Sequence, residues 1–164
     1  MSRLASTGVI ALRYCATLAN PAAPTTAELN AGVDLTPALC RDGLTTPLEG
    51  SQIDVSGANS RYNATASGSY GGQPLVMKFH RDSTPASDTA YSTLVRQTTG
   101  YVVVRRFGGS TASSGDAFAS GQKVESWPID VMSREMMPIA DNESQKFEVR
   151  CAVPSAPSEN ATVA

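Results

Sequence analysis

Few side chains in this sequence are of a kind that does chemistry, and their spacing limits what that chemistry can be. His80 is the only histidine, so a zinc site with two imidazole ligands is excluded, and a nucleophile–base–acid triad would have to be built on this one ring. It shares a strand face with Lys78 and reads as a surface residue. Cys15, Cys40 and Cys151 are odd in number and widely spaced, which fits neither a disulfide framework nor paired metal ligands, so they read as reduced packing thiols. The segment GDAFASGQKV has the outline of a phosphate-binding loop. It carries one residue too many between its glycines, a glutamine before the lysine, and a valine where a hydroxyl would hold magnesium. No Gly-x-Gly-x-x-Gly fingerprint and no Gly-x-Ser-x-Gly elbow occurs. Arg105 and Arg106 form a basic doublet that reads as a solvated edge or as salt-bridge partners. Trp127 reads as a core or interface anchor, because no basic and aromatic residues interleave around it. No catalytic residue, cofactor or metal is expected.

The elements around these residues are mostly strands. A chain of 164 residues, 41% hydrophobic, can bury one ordinary core. A formal net charge of -2 gives no basic field for gathering phosphates. The apolar patch Val9 to Leu12 is interrupted by Arg13 too soon for a signal peptide, and no run approaches a membrane span. Residues 9 to 18 alternate as a strand, and PLVMKFH, GYVVVRRF, KVESWPIDV and KFEVRCAV are further strands. Pro128 places KVESWPIDV at an edge or a bulge. In SDTAYSTLVRQTTG, Ser87 or Asp88 can cap the main helix, and TTAELNAG carries capping-box spacing between Thr25 and Glu28. Residues 42–72 hold little bulk and read as a long extended hairpin or loop. Residues 108–116 read as a flexible loop tip. The expected organisation is one domain over 1–154 and a short flexible tail over 155–164.

One part of the hairpin alternates without carrying charge. In YNATASGSYGG, Asn63, Thr65, Ser67 and Ser69 fall on one face, and Tyr62, Ala64, Ala66, Gly68 and Tyr70 on the other. Such a hydroxyl-rich face suits a surface that must not adhere.

The succession LNAGVDLTPAL, DGLTTPLEGSQIDVSG, SYGGQPLVMKFHRD, TGYVVVRRFGG, GQKVESWPIDVMSRE and NESQKFEVRCAV resembles major tail proteins, the tail tube subunits of long flexible-tailed phages infecting actinobacteria. The resemblance covers almost the whole chain. It implies a mainly β fold: a β-sandwich or partial barrel of two antiparallel sheets with one flanking α-helix, similar to the type VI secretion tube protein. It further implies a structural virion protein, not an enzyme, made in the host bacterial cytoplasm. Hexameric rings would stack into a tube whose inner sheets fuse into one barrel. Tape measure, tail terminator and tip proteins would be its partners, and DNA would pass in transit without specific binding. On that reading the lumen-facing residues are Gln52, Asp54, Ser56, Asn63, Thr65, Ser67 and Ser69, with Lys146, Glu148 and Arg150 as the competing lining. Arg41, Asp42, Glu49 and Arg61 are candidates for contacts between subunits. Three other readings stand beside it: a capsid decoration or other virion surface protein, a carbohydrate-binding module, for which 6% aromatic content is thin, and an enzyme working through His80.

Overall fold

The computed structural model describes residues 10–58, 61–107 and 117–164. Ten strands form two antiparallel sheets. In chain order they are β1 (Ala11–Cys15), β2 (Val33–Asp34), β3 (Leu39–Thr45), β4 (Leu48–Asp54), β5 (Thr65–Gly72), β6 (Leu75–His80), β7 (Thr99–Arg105), β8 (Lys123–Met136), β9 (Lys146–Ala152) and β10 (Ser158–Thr162). The larger sheet runs β2-β1-β7-β8-β9-β6-β3, with β10 pairing β8 off this path, and β4-β5 is a separate two-stranded sheet.

The chain itself forces the larger sheet to curl. Its two edge strands, β2 and β3, are joined through only four residues, 35–38. Laid flat, seven strands about 4.8 Å apart would separate those edges by about 29 Å, whereas five backbone steps reach about 17 Å at most. The sheet therefore closes toward a partial barrel. One apolar cluster fills its concave side, gathering Leu12 and Tyr14 of β1, Val102 and Val104 of β7, Trp127 and Ile129 of β8, Phe147 and Val149 of β9, and Met77 and Phe79 of β6. Leu35, inside the link, is fully buried in the same cluster, and its N–H bonds the Leu12 carbonyl at 2.9 Å.

A second cluster covers the convex side of β1, β7 and the first half of β8. It contains Ala11, Cys15, Leu29, Val103, Phe118, Val124, Ala161 and Val163. Strand β1 is accordingly buried on both faces, and its pattern is a continuous apolar run with Arg13 inside it. Phe118 lies under two guanidinium groups, Arg105 at 5.0 Å and Arg13 at 5.7 Å from its ring centre. The Asn30 side chain bonds Phe118 through both its N–H and its carbonyl. Arg105 is thus a buried residue, not the solvated edge expected from the sequence; its Nη1 donates to the Ala117 carbonyl and to Gln122. Arg106 does form the expected salt bridge, with Glu125.

Pro128 lies at neither an edge nor a bulge. On its β7 side it is paired with Tyr101. On the other side β10 ends its pairing at Ser126 and β9 begins at Asp130. Pro128 occupies the gap where β8 changes neighbour, a place where a missing N–H breaks no ladder. That changeover depends on β10, which the sequence reading had as flexible tail: Ala161 and Val163 are buried there, and Thr162 pairs with Lys123.

The main helix and the shorter turn expected from the sequence are both present as short helices. In α1 (Thr26–Ala31) the capping box forms as its spacing predicts. The backbone bonds from Ala19 and Thr25 hold the Glu28 carboxyl below its usual range. Gly32 follows because a Cβ there would meet the Cys15 sulfur and the Tyr14 carbonyl at 2.8 Å. The expected main helix shrinks to α2 (Thr89–Thr93), and Asp88 at its N-cap makes no side-chain capping bond. That carboxylate is taken by Arg81 Nε at 2.5 Å instead. The loop expected over 108–116 lies outside the described residues.

Two substitutions test the convex cluster. Phe118→Ala removes a ring that is 3% exposed and is expected to cost about 3 kcal/mol in chemical denaturation. Ser126 is fully buried and its hydroxyl has no hydrogen-bond partner, so Ser126→Ala is expected to raise stability by about 1 kcal/mol in the same assay.

Candidate functional site

Among the described residues there is no cluster of three or more metal-ligating groups, and no helix is long and apolar enough to cross a membrane. His80 is half-buried and its Nδ1 lies 2.5 Å from Ser144 Oγ. Among the described residues no carboxylate bonds the ring to complete a triad with that hydroxyl. What the fold offers instead is surface that no described residue covers, in two places.

The first is the half-sheet β8-β9-β6-β3. Strand β8 pairs with β7 only as far as Asp130, and the 97–98 turn bonds Val131. From residue 132 to 136 its sole ladder partner is β9. At the other end β3 pairs with β6 alone. The half-sheet thus has two open edges. All its pairings are antiparallel, so three steps separate the edges and the edge strands run in opposite directions.

Its concave face carries the core; its convex face is polar and mixed in charge. Register aligns Lys78 with Glu148, His80 with Lys146, Val76 with Arg150, and Glu135 with Glu148. Arg150 Nε meets Glu148 at 2.7 Å, and Lys146 Nζ meets Glu143 at 3.0 Å. Each carboxylate, by hydrogen bond and then by charge, raises the pKa of the cation beside it. Lys146 and Arg150 are thus already engaged. The end of this half-sheet is fixed by Tyr91, whose ring lies between the guanidinium groups of Arg81 at 3.6 Å and Arg134 at 3.7 Å. Arg134 also donates to the Tyr91 carbonyl.

The second uncovered surface is the β4-β5 hairpin. Both strands are exposed along nearly their whole length. Gln52 pairs with Ser67 and Asp54 with Thr65, which puts four of the expected lining residues on one face. A bulge between Gly50 and Gln52 then shifts the register, and Gly50 faces Tyr70. Ser69 is therefore not on the Thr65 face: Ser51 Oγ donates to the Ser69 carbonyl at 2.8 Å and lies 3.1 Å from its hydroxyl. Asn63 precedes the strand. Ser56 closes the hairpin end, where its hydroxyl accepts from the Ala64 N–H at 2.9 Å. Its backbone and hydroxyl hold the Asp54 carboxyl below its usual range. The opposite face carries Ile53 paired with Ala66, and Val55 bonded to Ala64, with Ile53 and Val55 each more than half exposed.

The expected contact residues are spread over both surfaces. Arg41 and Asp42 stand exposed where the β3 register shifts, on the open edge, and Glu49 at the hairpin base accepts from Gln73 Nε2 at 2.7 Å. Arg61 is exposed beside the hairpin tip. Sequence reasoning named Lys146, Glu148 and Arg150 but missed Lys78 and Glu135 beside them; the alternation in LVMKFH carried the signal for the first.

No curated protein matches the chain in sequence. Among solved structures, it is similar to a chain of the anti-feeding prophage baseplate, six-fold symmetrised, with a TM-score of 0.54 at 15% identity over 94% of this chain and 95% of that one. It is also similar to a chain of the virion of a native gene transfer agent particle, with a TM-score of 0.50 at 10% identity over 81% and 89%. Those likenesses show the fold. A family model described as phage tail tube protein matches residues 1–164. The chain belongs to that family, and is a structural component of the virion tail.

Proposed function

We propose that copies of this chain join edge to edge into six-membered rings, that the rings stack into the tail tube, and that DNA leaves the particle through it. One observation carries the reading: a four-stranded half-sheet with two open edges of opposite direction. Strand β3 of one copy, set beside residues 132–136 of the next, continues an antiparallel ladder without reversal, and this satisfies edge groups that otherwise invite uncontrolled pairing. Six copies of four strands give a circumference of about 115 Å, about 37 Å across before tilt widens it. The number six is supported by one structural neighbour, which comes from a six-fold symmetrised baseplate.

The same geometry supports a reading of the channel wall. The concave side of the half-sheet bears the rest of the chain, and that bulk fits only outside a closed ring. The convex side, with Lys78, Lys146, Glu148, Arg150 and Glu135, then faces inward. A wall on which Lys146 and Arg150 are already paired with carboxylates, leaving Lys78 beside Glu148 in register, holds passing phosphates weakly, because few counterions are released on contact. In this arrangement Gln52, Asp54, Thr65 and Ser67 belong to the hairpin's contacts with neighbouring copies, in competition with the expectation that they line the channel. The role is structural, not enzymatic. A tape measure protein inside the tube and terminator and tip proteins at its ends are the partners this role requires.

Three measurements test the reading. Asp42→Pro on the β3 edge is expected to leave the circular dichroism of the dilute subunit unchanged and to abolish rings and tubes in sedimentation and negative stain. Tubes that persist would show that this edge is not the joint. For the wall, Glu135→Arg is expected to slow DNA ejection several-fold at low salt, with recovery as salt screens the added charge. Thr65→Arg and Ser67→Arg are expected to eject at the wild-type rate, and the reverse result would place the hairpin on the wall. Finally, hydrogen exchange of residues 48–54 and 65–72 is expected to be fast in the isolated subunit and strongly slowed in assembled tubes. A two-stranded sheet exposed on both faces has little stability of its own.

A further inference from the structure

The hairpin continues β3 and β6, yet both strands break at the same level. Strand β3 ends at Thr45 and β4 starts at Leu48; β5 ends at Gly72 and β6 starts at Leu75. Thr45 pairs with Val76 below the break and Leu48 with Gly72 above it. Each connection contains a proline, Pro47 on one strand and Pro74 on the other. Neither can donate a ladder bond, and Gly71 and Gly72 add freedom on the β5 side. Two breaks at one level leave a line across the ribbon that no ladder pair stiffens, crossed only by side-chain bonds such as Gln73 Nε2 to Glu49 at 2.7 Å.

Space and a latch accompany this line. Beside the hairpin base lies a groove of about 320 Å³, lined by Leu48, Tyr70, Gly72, Val153, Ala156 and Pro157, and Tyr70 beside it is 63% exposed. On the other connection, Arg106 Nη2 reaches Thr46 Oγ1 at 3.3 Å while its Nε holds Glu125 at 2.6 Å. Glu125 also accepts from the Trp127 indole at 3.2 Å. Trp127 is core, so Thr46 is tied to the rigid barrel by a chain of three side chains.

We infer that β4-β5 is a hinged arm: it swings as a unit about the line through residues 46–47 and 73–74, toward the groove beside Tyr70, with Arg106 holding the extended position. The hinge belongs to the isolated chain and does not depend on how copies assemble. Its use does rest on the tube reading, where an arm of adjustable angle lets one sequence meet neighbours whose orientation changes as a tube bends.

The test uses two spin labels on the full chain, kept dilute and unassembled, at Ser67→Cys on the arm and Thr99→Cys on β7. A reference pair, Thr99→Cys with Arg150→Cys, lies within the barrel. The three native thiols are buried, and burial pushes Cys151 up to about 12, so labelling goes to the introduced sites. The arm-to-body distance distribution is expected to be at least twice as wide as the reference. It is expected to narrow toward the reference in Pro47→Val/Pro74→Val, where both ladder donors return, and to widen or shift toward the groove in Arg106→Gln. A wild-type distribution as narrow as the reference overturns the hinge without any variant having to fold. That outcome leaves ring formation untouched, whereas a wide distribution in a chain that forms no rings would remove only the use assigned to it.

Discussion

The four residues between Asp34 and Leu39 decide more of this structure than any contact inside it. They join strands at opposite ends of a seven-strand path, so the sheet curls until its ends meet, and the curl creates one enclosed apolar side. Leu35, at the start of the link, is buried there with Leu12 on one side of the closure and Met77 and Phe79 on the other. A sheet closed in this way needs no second layer over its whole convex surface. Only β1, β7 and the first half of β8 receive one, from α1, Phe118 and β10. Among the described residues no further apolar element lies across the remainder.

What is left open follows from how β8 is shared. At fourteen residues it is the longest strand, and its first half serves the doubly covered part while its second half serves the open part. Pro128 marks the changeover. The bulge between Val131 and Ser133 adds twist where the strand leaves its β7 partner, and residues 132–136 emerge with one side unpaired. Edges of this kind are normally hidden or blunted. Here they come as a complementary pair on one half-sheet, the pair that the proposed ring would use as its joint.

Much of this was legible in the sequence, for a physical reason. Strands buried on one face write period-two patterns, and those of β6 and β9 fall where the alternation puts them; β7 and the first half of β8, buried on both faces, show as apolar runs, and the α1 capping box is equally local. The calls that failed depended on partners far away in the chain. Ser158–Thr162 looks like a tail because SENAT has little bulk, yet Ala161 completes a cluster with Val124 and Val103. Arg105 looks solvated until Phe118 and Gln122 surround it. The α2 segment has helical spacing, but its capping carboxylate is drawn off by Arg81. Ser69 was placed on the wrong face because a bulge leaves no mark in a run of small residues. The hairpin's four-residue polar face was readable; the charged face beside it was only half readable, since no single strand shows which others lie next to it.

The hairpin is the one element whose sequence makes sense only beyond the single chain. Its two faces differ, with Ile53, Val55, Ala64 and Ala66 on one and Gln52, Asp54, Thr65 and Ser67 on the other, as in strands that lie on a core. Yet the chain supplies no core beneath it. Leaving two branched aliphatic side chains in water forgoes about 1.5–3 kcal/mol apiece that burial would return. That is too little to hold two subunits together alone, given what association costs. It becomes sufficient when every copy in a ring makes the contact at once, because after the first contacts form, the others are intramolecular and their effective concentration is high. Weak, repeated contacts of this kind disfavour stray dimers and favour the closed, stacked assembly, so an exposed apolar face of modest size is what a subunit of a growing tube would be expected to carry.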